Sequence, residues 1–137
     1  MLRKVLARRD GVAATELAVL LPFLAFLFVV AVDWARLFYF SVTVANCARN
    51  GAAYACDPYS TTLPAYPNLT AAALADAPNL SPQPTVTSAS GVDADGNSYV
   101  DCTVSYTFRT VTNFPGVPSS NPVVRTVRAY LAPSVPK

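Results

Sequence analysis

Three cysteines, a short run of aspartates and one glutamate are the residues of this chain that could do chemistry. There is no histidine, which removes the commonest general base and the commonest metal ligand. Cys47, Cys56 and Cys102 show no Cys-x-x-Cys spacing, and three thiols without histidine fall short of a zinc site. No nucleophile–base pair can be assembled, so catalysis is not expected and no cofactor is called for. Asp93, Asp95 and Asn97 alternate as calcium ligands do, but Gly96 falls in the wrong place for an EF-hand loop, and the run reads as a turn. A structural use of the thiols is expected instead. Cys102 falls on the apolar side of an alternating strand and Cys56 at the end of a helix. In an oxidising exterior a Cys56–Cys102 bond would close a loop of about 45 residues and contribute roughly 3–4 kcal/mol. Cys47 would remain a small buried residue.

Glu16 opens the most apolar stretch of the chain. From Leu17 to Val32 there are sixteen residues without a charged or polar side chain. With small or apolar flanks at Val12 to Thr15 this suffices for the roughly 20 residues that cross a ~30 Å hydrocarbon core. Trp34, Phe38, Tyr39 and Phe40 form an aromatic belt at its far end. Asp33 and Arg36, three apart, can pair there. Pro22 inside the run is tolerated in a membrane helix. An ionised carboxylate at the edge of hydrocarbon costs about 2.5 kcal/mol or more unless paired. Glu16 therefore either reaches the headgroups near Arg8 and Arg9 or awaits a positive partner.

Charge sets the orientation. Arg3, Lys4, Arg8 and Arg9 against Asp10 give the first eleven residues a net +3, whereas the remainder has six Lys/Arg against seven Asp/Glu. A basic leader before an apolar span stays in the cytoplasm, and the rest of the chain follows to the other side. That remainder has no basic excess, so nucleic-acid binding is not expected. No small-x-small cleavage site follows Val32, which argues against a secreted enzyme behind a signal peptide.

The elements that hold these residues divide the chain into a leader (1–11), a transmembrane and stalk helix (12–56) and a small exported domain (57–137). No Gly or Pro interrupts residues 23–50, and the helix from Val12 to Cys56 would be about 65 Å long. Ala45, Ala48, Ala52 and Ala55 mark a seam of small side chains where a sheet or another helix can approach. Eleven of the twelve prolines lie beyond residue 57, in a turn-rich region. Thr70 to Ala77 reads as a short helix capped by Asn68 or Thr70 and stopped by Pro78. Val100, Cys102, Val104, Tyr106 and Phe108 alternate with polar residues as a half-buried strand. Asp95-Gly96 marks a hairpin to a weaker strand at Thr85–Ser90, and a third strand is expected at Val123–Leu131. The fold class is α+β: a long helix against a three-stranded antiparallel sheet, pilin-like in layout. The long 110–122 connection, with Phe114 and Val117, is a candidate contact surface.

The leader, Gly11-Val12-Ala13-Ala14-Thr15-Glu16-Leu17, Leu20-Leu21-Pro22 and Asp33-Trp34-Ala35-Arg36-Leu37 together resemble the TadE-like family. That family comprises pseudopilin-type components of the tight-adherence (Flp) pilus and its related secretion machinery. The likeness continues through Ala45-Asn46-Cys47-Ala48-Arg49-Asn50-Gly51-Ala52-Ala53-Tyr54-Ala55, and Val104 to Phe108 resembles a strand of that family. Leu17 stands where major Flp pilins carry an aromatic, which favours a minor component. The resemblance implies cleavage between Gly11 and Val12 by a prepilin peptidase. The freed α-amino group of Val12 would pair with Glu16 of a neighbouring subunit in the apolar layer. The implied partners are other pilins or pseudopilins, the assembly platform and membrane lipid, in a bacterial inner membrane. The alternative is an unprocessed single-pass protein with an extracytoplasmic binding or structural domain.

Overall fold

The computed structural model describes residues 2–57, 65–111 and 119–131, with side chains from residue 11 onward. One helix, α1 (Leu2–Cys56), runs through the leader, the apolar run and the stalk. It begins ten residues before Val12, because Leu, Arg, Lys and Ala are good helix formers and an isolated glycine at position 11 costs only about 1 kcal/mol. At 1.5 Å per residue its 55 residues extend about 80 Å. Every residue from Gly11 to Phe28 is exposed within the chain. Among the described residues this is the single helix long and apolar enough to cross a membrane.

Beyond Val32 the same helix changes role. Val44, Cys47, Ala48 and Ala52 are buried, with Leu37 and Phe40 partly buried on the same stripe. Their spacings of three and four place them on one face, which packs on a three-stranded antiparallel sheet. Its strands are β1 (Thr85–Val92), β2 (Ser98–Arg109) and β3 (Ser120–Tyr130), in the order β1-β2-β3. Val104 pairs with Val86 on one side and Arg125 on the other. The alternation of β2 follows the sequence reading: Cys102, Val104, Tyr106 and Phe108 are buried against α1. Asp101, Thr103 and Ser105 point the other way.

A short helix, α2 (Leu69–Leu74), lies beside the end of α1. The Asn68 side chain accepts the Ala71 N–H at 2.8 Å, which selects Asn68 as the cap. This helix closes earlier than Ala77. The N–H groups of Ala75 and Ala77 bond three residues back, to the carbonyls of Ala72 and Leu74, because Pro78 disfavours helical backbone at the residue before it.

Candidate functional site

Three places on α1 bring together the residues with functional potential. The first is its apolar end. Gly11 is open on all sides, so an added Cβ would meet nothing within 4 Å. Thr15 donates its hydroxyl to the Val12 carbonyl at 2.8 Å. Glu16 lies one turn beyond Val12, in a shallow, open depression with Thr15, Val19 and Leu20. Among the described residues it has no ion-pair partner; the side chains of Arg8 and Arg9 lie outside them. The arrangement presents a carboxylate on an apolar helix surface, with the residue after Gly11 on the same face.

The second place is where the apolar run meets the domain. Asp33 is buried to 7% exposure and holds two elements. Its carboxylate accepts from the Arg36 guanidinium at 3.3 Å and from the Val111 backbone N–H, 78 residues away, at 3.0 Å. The expected Asp33–Arg36 pair is therefore formed. Its tie to the end of β2 carried no local signal in the sequence. The Arg36 guanidinium also lies over the Phe108 and Phe40 rings, 5.4 and 5.8 Å from their centroids. Phe40 in turn packs on Tyr106 and Phe108 at 5.5 Å. Of the expected aromatic belt, Trp34, Phe38 and Tyr39 are exposed on the helix, and Phe40 turns inward to the core.

The third place is the small-residue seam. Ala48 and Ala52 are buried, and Ala45 and Ala55 are half-buried. At its centre is Gly51, where a Cβ would sit 2.5 Å from Cys102 Sγ and 3.1 Å from Ala73 Cβ. The seam is thus used within the chain, by β2 and α2. Sequence reasoning passed over Gly51, although a glycine inside a helix, three and one residues from Ala48 and Ala52, signals close approach.

The cysteines depart from expectation. All three are free thiols, with Cys47 and Cys102 buried and Cys56 half-buried, so the Cys56–Cys102 bond is not formed. Cys102 packs over Gly51. Cys56 is five residues further on, about 7.5 Å along the axis and about 140° around it, which turns it off the sheet-facing stripe. Burial pushes both the Cys47 and Cys102 thiols up; Asp76 adds to the effect at Cys47.

The Asp93–Asn97 loop is a turn built on one side chain. Asp93 accepts from the N–H groups of Asp95 and Asn97, at 3.0 and 2.8 Å, while Gly96 takes φ +81°. These bonds, the Asn97 amide foremost, hold the Asp93 carboxyl below its usual range. On the open face of the sheet Arg128 makes a two-pronged contact with Asp101, both distances 2.7 Å, and lies 3.7 Å from the Tyr99 ring centroid. Most of the 110–122 connection, including Phe114 and Val117, lies outside the described residues.

Residues 11–53 match the family model described as TadE-like protein. No curated protein and no solved structure matches the chain. The TadE-like segment opens at Gly11 and ends at Ala53, within α1. It covers the apolar end, the Asp33 junction and the seam as far as Ala52, and leaves Ala55 and the sheet, including Val104 to Phe108, outside the match. The TadE-like match and the exposed apolar helix together fit a membrane-anchored component of the Tad pilus system.

Proposed function

We propose that the protein is a minor, pseudopilin-like component in the assembly of tight-adherence pili or the related secretion machinery. It acts through packing and without catalysis. The observation that carries this reading is Glu16, a carboxylate with no ion-pair partner among the described residues, on an exposed apolar helix inside the TadE-like match. The basic leader lies in the cytoplasm and the sheet domain outside the inner membrane. A prepilin peptidase cleaves between Gly11 and Val12, and the new α-amino group of one subunit pairs with Glu16 of another. Each charge then satisfies a partner that lipid does not supply. Other pilins or pseudopilins and the assembly platform are the partners of the mature chain.

The second reading is a permanent single-pass anchor that keeps its leader, with α1 continuous from Leu2 through Gly11. N-terminal sequencing of the protein from its native membrane, beside a Gly11→Val variant, separates the two. Processing gives a start at Val12 that the variant abolishes. An intact Met1 terminus in the wild type refutes cleavage and leaves the anchor.

A further inference from the structure

We infer that the sheet domain rests on the bilayer, with the Arg109–Val111 end of β2 seated among anionic lipid headgroups beside Trp34. This rests on the reading of α1 as a membrane span and adds a second, peripheral contact to it.

The positions follow from two anchors along the helix. Asp33 is the first charge after the apolar run, and its carboxylate holds the Val111 N–H at 3.0 Å. At the other end, Cys102 packs over Gly51. Asp33 to Gly51 is about 27 Å of helix, and Cys102 to Val111 is about 30 Å of strand. The two lengths agree, so β2 runs beside the helix axis and its Arg109 end comes level with the boundary of the span. The stalk part of α1 is covered by the sheet from Asp33 onward, so no bare length of helix separates the apolar run from the domain.

The chemistry of that end suits headgroups. Val111 is 67% exposed and Trp34 68%. Between β2 and β3, Arg109, Thr110, Val111, Ser119 and Ser120 line an open concavity of one cation, hydroxyls and an apolar side chain. The nearest carboxylate, Asp33, is turned inward to Arg36 and the Val111 N–H. The other described carboxylates of the domain stand far away. Asp76 bonds Asn50; Asp57 follows the end of α1; Asp101 adjoins Cys102; and Asp93 and Asp95 occupy the opposite hairpin. Asn50 lies about 25 Å beyond Asp33 along the helix, well over the ~8–10 Å screening length at physiological salt. An anionic leaflet at this end therefore meets Arg109, with Arg36 and Asp33 neutralising each other beside it, and is screened from the remaining acids.

Trp34 is the only tryptophan and serves as the reference probe. The full chain is reconstituted in vesicles of phosphatidylcholine and phosphatidylglycerol carrying bromine on the upper acyl chain, and tryptophan quenching is read. Two variants move the probe within exposed positions: W34F/V111W to the seated end, and W34F/V92W to the far hairpin. The V111W probe is expected to be quenched within about twofold of Trp34, and the V92W probe not at all. In the V111W background, R109Q or removal of phosphatidylglycerol should lower quenching at least about twofold. Quenching of Trp34 with none of the V111W probe overturns the seat while sparing the span. No quenching of Trp34 removes the span, and the seat with it. Quenching of V111W that ignores both R109Q and phosphatidylglycerol overturns the anionic contact.

Discussion

A hydrogen atom as the side chain of residue 51 is what lets β2 and α2 close on α1. Gly51→Ala gains up to about 1 kcal/mol of helix propensity. It also forces a Cβ to within 2.5 Å of Cys102 Sγ, and such overpacking costs about 1–3 kcal/mol. A net loss of about 1–2 kcal/mol is expected from chemical denaturation. In a Cys102→Ala background the sulfur is gone and the same substitution should become neutral or stabilising. A double-mutant cycle reads that coupling directly, and an unchanged cost would mean that Ala73 decides the fit. This contact shows why the partner of Cys102 is not legible in the sequence. Alternation correctly gave Cys102 a buried side chain. Which helix residue it meets depends on how far the strand slides along the helix, and no local pattern records that.

At the scale of elements, the helix, the strand order and the hairpin were legible because each has a period or a turn residue of its own. Phe108 to Val100 alternate with period two, Asp95-Gly96 turns the chain, and a stretch without Gly or Pro keeps α1 unbroken. The limits of α1 and α2 were less legible, since the leader has helical propensity with no capping signal, and α2 is closed by bonds that tighten before Pro78. The tie from Asp33 to Val111 was invisible, being a backbone donor met by a side chain from far along the sequence. It predicts an asymmetry between substitutions. Asp33→Ala leaves a half-buried N–H and a guanidinium without their acceptor, and should destabilise the domain by about 1–3 kcal/mol. Asp33→Asn keeps one carbonyl oxygen for Val111 and should cost less than half as much. Equal losses in the two variants, measured by thermal or denaturant unfolding, would show that the charge, and not the acceptor, matters.

Among the described residues of the domain, every acid except Asp33 stands at the end far from the apolar run. The acids at the far end also respond to pH. Asp93 is held below its usual range mainly by the Asn97 amide, and Asp101 by hydrogen bonds from Arg128. A carboxylate whose folded pKa is depressed contributes stability above its unfolded pKa, about 3.9, and loses it as pH falls through the folded value. The melting temperature should thus be flat from neutral pH to about 5 and fall below about 4. A D93N/D101N variant should start lower at neutral pH and fall less steeply; an identical slope would place the acid response elsewhere. Both groups are exposed, so the effect shrinks with added salt.

The helix long and apolar enough to cross a membrane is also the layer on which the sheet is built, with no glycine or proline between residues 23 and 50. Anchor and domain therefore turn together, as a lever without a joint. From Asp33 to Cys56 the arm is about 35 Å, and transmembrane helices adjust their tilt when bilayer thickness changes. A change of about 10° at the anchor would swing the far hairpin sideways by about 6 Å, more than the spacing between neighbouring strands. Lipid thickness would then become a mechanical input, read out as the position of a tip that never touches the membrane.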